Sequence, residues 1–387
     1  MLKIFNRYTI VQLFLYFFIN ALFILKYLPR MGLNAIIPTI LYFTFVFIVY
    51  FIYMRFSLVL KENAYKFLLW ILAFVSIIII VGILIKIDPL SVRVDRWSAV
   101  TYFLDSFFNG VYPYGTPTHV SPTNFPSPFP VWYVINLPFY LIGDVGIGLI
   151  FFLILVLFAF FQFTKSYRQT FFFLILIVIS PAYWWEVAVR SDSLSNGFLI
   201  FAFILWWHKK GKTIEHNFIF ATIACGLLAS TRLSAIIPIA LFLFKPYLKL
   251  DWGKKIVFPI GIIIVTVLTF SPFIFWDTTN WVFFNRNPFM SQTSVGNSYA
   301  LSGLIILGIL SGLIWKDINQ YFFVTSSFIF IFMLTSQLSL IITRGVNGSV
   351  FSDSLYDISY FSLLLPYALF FISEKSPGLE LLKNNKS

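Results

Sequence analysis

The stretch SVRVDRW, residues 91–97, sets Arg93, Asp95 and Arg96 side by side just past an apolar run that ends near residue 87. A carboxylate within hydrogen-bond reach of a hydroxyl can act as a general base. A guanidinium beside it can hold a phosphate or carboxylate through two parallel hydrogen bonds. The same residue types recur further along. Glu186, Arg190 and Asp192 lie in WWEVAVRSDSLSNG, Arg232 in ASTRLSAIIP, Arg286 in FNRNPF, and Arg344 follows another apolar run. Such a set could line a polar pocket. Each member also has a plainer reading: Asp95 as a surface partner of Arg93 or Arg96, and Glu186 with Arg190 as an i, i+4 helix pair worth a few tenths of a kcal/mol.

Composition decides where these groups sit. Of 387 residues 59% are hydrophobic and only 11% charged, against about 25% charged in a soluble domain. So few charges cannot cover a water-facing surface, and the chain is expected to be an integral membrane protein. Its single cysteine, Cys225, excludes an internal disulfide and argues against Cys-based metal sites. A bilayer crossing takes about 20 apolar residues. The runs 9–28, 33–54, 66–87, 146–164, 170–184, 194–208, 217–230, 234–247, 256–276, 298–315, 321–342 and 355–373 predict an all-α polytopic protein of about twelve spans. Four of them (170–184, 194–208, 217–230 and 234–247) are short, as fits helices with little tilt or with ends buried in protein. The first run has a basic start but is too long for a signal-peptide core and lacks a small-residue cleavage site, so it reads as an uncleaved span.

Lys and Arg concentrate on the cytoplasmic side of membrane proteins. With both termini inside, eighteen of the 27 basic residues and six of the 15 acids are inner, so the inner side carries the whole formal charge of +12. The excess therefore reports orientation and needs no nucleic acid to explain it. Inner positives are mostly Lys. Seven of the nine outer positives are Arg, matched by nine acids that include Asp88, Asp95, Asp105, Asp144, Glu186, Asp192, Asp277, Asp353 and Asp357. Arg232 falls between two apolar runs with almost no loop, and a membrane-level Arg usually faces a polar cavity.

Residues 88–145 form the longest stretch without a span. RWSAVTYFLDSFFNG has the spacing of an amphipathic helix stopped at Gly110. YPYGTPTHVSPTNFPSPFP carries proline too often for regular structure. VWYVINLPFYLIG reads as a second short interfacial helix. Along the first of these helices Asp95 and Asp105 do not share a face, which makes Asp105 the weaker candidate. The outer carboxylates allow a divalent metal, but no ligand spacing singles one out. No Gly-rich phosphate loop or nucleotide-binding domain is present.

The order Asp95, interfacial helix, NGVYPY, SPFP and second short helix resembles the first outer loop of the GT-C glycosyltransferases, polytopic enzymes that take a sugar from a polyprenyl-phosphate carrier. WWEVAVRSDSLSNG, ASTRLSAIIP, FNRNPF and YDISYFSLLLPY are similar to later outer segments of bacterial, mannosyltransferase-like members. The likeness covers roughly residues 66–373. It divides the chain into an additional N-terminal hairpin, 1–60, and a catalytic core, 61–387, with the outer loop 88–145. No motif in it is strict.

The resemblance implies inverting transfer of a hexose from a polyprenyl-phosphate sugar to a glycan, lipid or protein acceptor, on the extracytoplasmic face of a plasma membrane. Asp95 takes the place of the catalytic base. Arg96, Arg190, Arg232, Arg286 and Arg344 become candidates for the donor phosphate, since the anionic leaving group needs cationic stabilisation. Asp105, Tyr112, Tyr114, His119, Glu186 and Asp192 become candidate substrate contacts. Tyr112, Tyr114 and Trp132 could stack on a sugar ring or simply anchor at the interface. His119 could hold a proton or a metal, or make a plain polar contact. Competing expectations are a lipid-linked-sugar transporter or flippase, an O-antigen polymerase or ligase, and a non-catalytic subunit. The absence of an internal repeat and of mid-membrane charges weighs against transport. The early position of the long loop weighs against a polymerase or ligase.

Overall fold

The structure, a computed structural model, describes residues 7–56, 59–293, 298–351 and 358–374. Lys3, Asp353, Tyr356, Asp357, Lys375, Glu380, Lys383 and Lys386, which entered the charge and motif readings, lie outside them. The chain is all-helical, 81% helix, with no strand among the described residues. In chain order the helices are α1 (Arg7–Tyr27), α2 (Ile36–Phe56), α3 (Glu62–Lys86), α4 (Arg96–Phe108), α5 (Pro130–Ile142), α6 (Gly148–Thr164), α7 (Tyr167–Val178), α8 (Pro181–Ala188) and α9 (Asp192–Lys209). There follow α10 (Phe218–Ala229), α11 (Ile236–Leu248), α12 (Trp252–Ile274), α13 (Val282–Asn285), α14 (Pro288–Thr293), α15 (Ser298–Ile314), α16 (Ile318–Val346) and α17 (Leu365–Glu374).

Among the described residues, six segments are long and apolar enough to cross a membrane: Arg7–Met31, Ile36–Arg55, Glu62–Lys86, Val145–Thr164, Trp252–Ile274 and Ile318–Val346. α7 and α8 would make a seventh if counted as one span, but they meet at a 68° bend. The bend falls at Ile179–Ser180, just before Pro181, whose missing N–H and fixed φ cannot continue a helix. The other expected spans are shorter. At about 1.5 Å per residue the twelve-residue α10 and thirteen-residue α11 reach about 20 Å, against a hydrocarbon core of about 30 Å. α9 is longer, but its first turn, Asp192 to Asn196, is polar and buried. The run 355–373 begins as a 3-10 turn, Ile358–Leu364, before α17. Hydropathy registers an apolar run whether it meets lipid or protein. The long helices do present apolar side chains outward: α3 exposes Phe67, Trp70, Phe74, Ile78 and Ile85, and α12 exposes Ile256, Ile263 and Leu268. Such surfaces belong in lipid.

The chain divides into two compact units. The first comprises residues 1–80, 154–186 and 315–387, and the second 81–153 and 187–314. In the first unit α1 packs against α2, α16 and α17, and α17 also packs on α7. Its core is aromatic, with Tyr53 stacked on Phe172 at 3.7 Å, Phe160 on Phe173 at 4.4 Å, and Phe322 against Phe370 at 4.1 Å. Polar ties run between these helices: Ser326 donates to Gln12 Oε1, Ser180 donates to Asn20 Oδ1, and the Tyr16 hydroxyl donates to the Leu176 carbonyl. In an apolar surround such bonds fix which helix faces meet.

The start of α7 is held from a distance in sequence. Ser166 caps it by accepting from the Gln169 N–H, while the Glu62 carboxylate accepts from Tyr167 N at 2.8 Å, Arg168 N at 3.2 Å and Ser166 Oγ at 3.0 Å. Two otherwise unpaired helix N–H groups are satisfied by a charge placed favourably at the helix N-terminus. Glu62→Ala is expected to cost about 1 kcal/mol. It would be read as a lowered melting temperature of the purified protein, and an unchanged melt would show that the cap adds nothing.

In the second unit α10 lies on α12 with their backbones close. A Cβ on Gly226 would come within 2.6 Å of Val265 Cβ, and one on Gly261 within 2.5 Å of Thr222 Cγ2. α4 packs on α5 through Phe103 and Tyr133, stacked at 3.4 Å with rings nearly parallel. The amphipathic helix predicted over residues 96–108 and its stop at Gly110 (φ +70°) are both present, as is the second short helix, α5.

Candidate functional site

Three chain segments of the second unit bring their charges together. α4 begins at Arg96, so Asp95 stands at its cap position. Its backbone there (φ −81°, ψ 0°) leaves the carboxylate out of any capping bond. Asp95 Oδ2 instead accepts from the Asn124 side-chain amide at 3.1 Å, across the proline-rich loop. Asp192 opens α9, where a negative charge is favoured by the helix dipole. Arg232 follows the end of α10 in extended conformation, immediately before the 3-10 turn Leu233–Ala235 that leads into α11. Its neighbours fix its height. Phe129 N and Val131 N donate to the carbonyls of Thr231 and Ser230, each at 3.0 Å, and the Asn196 amide donates to Thr231 Oγ1 at 2.8 Å.

Asp192 is the hub. Its Oδ2 is paired with Arg232 Nη1, and its Oδ1 faces Arg96 Nη1 at 3.6 Å; all three side chains are at most 7% exposed. Burial removes most solvent screening, so the interactions within the triad are strong, as is the cost of breaking them. The triad sets two guanidinium ions around one carboxylate, with the Asp95 carboxylate next in the chain to Arg96. Tyr133, on α5, is fully buried with its hydroxyl in electrostatic reach of both Arg232 and Asp95.

A second ion pair joins the buried Arg190 to the partly exposed Asp144. Arg190 Nε donates to both oxygens of Asp144, at 2.9 and 3.2 Å, and its Nη2 donates to the carbonyls of Leu84 and Ile87 at the end of α3. Asp144 Oδ1 also accepts from Trp97 Nε1 at 3.2 Å and from Gly146 N at 2.8 Å. Glu186 and Arg190 do not share a helix. α8 stops at Ala188, and Arg190 turns into the left-handed region at φ +54°, off the helix. Arg190 thereby ties α3 to α4 through Nε and Nη2, while its buried Nη1 has no partner among the described residues. Gly146 leaves room for this clamp, since a Cβ there would fall 2.7 Å from Leu84 Cδ2 and 2.8 Å from Arg190 Cγ. Gly146→Ala is expected to destabilise the protein by about 1–3 kcal/mol through overpacking. Thermal unfolding checks this, and a wild-type melt would show that the clamp yields freely.

The remaining candidates are dispersed. Asp105 lies ten residues along α4 from Asp95, about 15 Å of axial rise, and accepts from the Tyr140 hydroxyl at 2.6 Å, tying α4 to α5. His119 has both ring nitrogens engaged: Nε2 is 3.0 Å from the Val92 carbonyl and Nδ1 is 2.6 Å from Ser98 Oγ. A carbonyl can only accept, so Nε2 carries a proton and donates to Val92, while the Ser98 hydroxyl lies in reach of both Nδ1 and the Asp95 carbonyl. His119 thus fastens the loop to α4, and neither nitrogen is open to a metal. Tyr114 is wholly enclosed, its ring edge-on to Phe103 and Tyr133 and its hydroxyl donating to the Pro128 carbonyl, and Trp132 is buried against Phe152. Neither can stack on a sugar ring or anchor at an interface. Tyr112 is half-buried and donates to the Arg286 carbonyl at 2.6 Å.

The exposed Arg286 guanidinium lies 4.2 Å over the Phe125 ring, next to Asn124, with no carboxylate partner among the described residues. Glu186, fully buried, and Arg344, exposed at the end of α16, belong to the first unit. Among the described residues no group of three or more His, Cys, Asp or Glu could hold a metal ion.

The sequence singled out Asp95, Arg96, Asp192 and Arg232 but not their pairing. It missed Asn124, which donates to Asp95, and Tyr133, whose buried hydroxyl has no hydrogen-bond partner among the described residues. Neither has a local signal: each matters only because α5 and the proline-rich loop fold back on α4. No protein-family profile, curated protein or solved structure matches this chain.

Proposed function

We propose that the chain is a membrane glycosyltransferase of the GT-C kind, moving a hexose from a polyprenyl-phosphate donor to a glycan, lipid or protein acceptor. In this reading the protein crosses the plasma membrane about twelve times, the short helices included. Both termini are cytoplasmic, the N-terminal hairpin is an addition to the core, and the site faces outward. Asp95 takes the proton of the acceptor hydroxyl as that oxygen attacks the anomeric carbon. The anomeric C–O bond to phosphate breaks, the polyprenyl phosphate leaves with the bonding electrons, and the anomeric configuration inverts. Arg96 and Arg232 offset the charge that develops on the leaving phosphate, as preorganised cations in a water-poor site do best. Asp192 holds both in place, and no metal is required for that role.

The observation that carries this reading is the buried triad of Arg96, Asp192 and Arg232 beside the uncapped carboxylate of Asp95. The test is transfer by the protein reconstituted in nanodiscs. Radiolabelled polyprenyl-phosphate sugars serve as donors and membrane extract as acceptor. Label passing to a new product supports the reading. Binding of donors without transfer to any product counts against it and shifts weight to a transporter of lipid-linked sugars; absence of both shifts weight to a non-catalytic subunit.

A further inference from the structure

Tyr133 sits at the same site but is used by nothing in the mechanism above. Its ring is immobilised, stacked on Phe103 at 3.4 Å and met edge-on by Tyr114. Phe103 is seven residues after Arg96, two helical turns along the same face of α4, about 10.5 Å in rise. α5 is in turn fixed against the segment leading to Arg232 by the two backbone bonds to Ser230 and Thr231. The phenol is therefore held rigidly, two residues beyond the backbone bond that joins Val131 to Ser230 in the segment leading to Arg232.

That hydroxyl is buried and has no hydrogen-bond partner among the described residues. A buried hydroxyl without a partner costs stability. Phenylalanine would fill the same space, keep the stack and avoid that cost. A tyrosine here is accounted for by a partner that arrives from outside the protein. In the reading above the group that arrives beside the segment carrying Arg232 is the donor phosphate, and a phenol can donate to its oxygen.

We infer that Tyr133 is a positioning residue of this site, donating its hydroxyl proton in a hydrogen bond to a phosphate oxygen of the lipid-linked donor held against Arg232. This rests on the glycosyltransferase reading for the identity of the phosphate.

The test uses the full chain in nanodiscs with undecaprenyl phosphate as the probe and undecaprenol, its neutral counterpart, as control. Binding is titrated for wild type and Tyr133→Phe, and each is melted without and with the probe. Wild type is expected to prefer the phosphate. Tyr133→Phe is expected to lose roughly ten- to a hundredfold in affinity for it, the range of one hydrogen bond to a charged group. Without ligand the variant is expected to melt at or above the wild-type temperature, since it no longer buries an unpaired hydroxyl. A merely structural tyrosine would give the reverse: weaker folding and intact binding. Equal affinity of both proteins for the phosphate overturns the inference and leaves the wider reading standing. No preference of wild type for phosphate over alcohol defeats that reading, and the role of Tyr133 with it.

Discussion

Asp95→Asn is expected to lower the rate of sugar transfer by about 10²- to 10⁴-fold, the usual contribution of a positioned general base. The substitution keeps size and shape and removes only the ability to accept a proton. It should leave folding intact, because Asp95 makes no cap bond with its side chain and its backbone carbonyl still accepts from Ala99 N at 2.7 Å. Asn124 would then face an amide, whose oxygen can still accept its hydrogen bond. Initial rates at saturating donor, with the melting temperature as control, measure the effect. Donor binding should survive, since the cations assigned to the phosphate are untouched. A variant that transfers within threefold of wild type would remove Asp95 from the mechanism and leave the arginine site to be explained otherwise.

Asp192→Ala is expected to be the most destabilising single change in the site, by about 3–5 kcal/mol, because it leaves Arg96 and Arg232 buried without their shared carboxylate. The magnitude comes from the stranded charges, so it should shrink when one of them is removed as well. Arg232→Met combined with Asp192→Ala should therefore melt above Asp192→Ala alone, since a methionine fills the space of the arginine stem without its charge. Melting of the single and double variants, closed as a cycle, measures the coupling. An Asp192→Ala protein that melts with wild type, or a double variant no better than the single one, would show that the triad is not the buried, coupled unit described above. Transfer should fail in both variants, because neither arginine is then held where a leaving phosphate would need it.

Both predictions concern residues whose types were legible in the sequence and whose partners were not. Arg190 illustrates the limit. Read along the chain, it is four residues from Glu186 and invites a helix pair. The helix ends two residues earlier, and the side chain crosses to Asp144, 46 positions away. Arg232 and Asp192 are 40 residues apart. Tyr114 and Trp132 looked like rings at an aqueous edge because the loop around them is polar and proline-rich, yet the loop folds over them. The twelve apolar runs were each real, but six of the corresponding segments are long enough to cross alone.

What the sequence determined by itself is what depends on local chemistry summed over a segment. It fixed the helical, lipid-facing character from composition, the amphipathic α4 and its glycine stop from apolar spacing, the irregular loop from its prolines, and a set of arginines and acids at helix starts and ends. The tertiary structure alone decided which charges meet. Once a guanidinium leaves water its energy depends on the carboxylate it finds, and that partner is chosen by how the helices pack, at separations along the chain over which spacing carries no information.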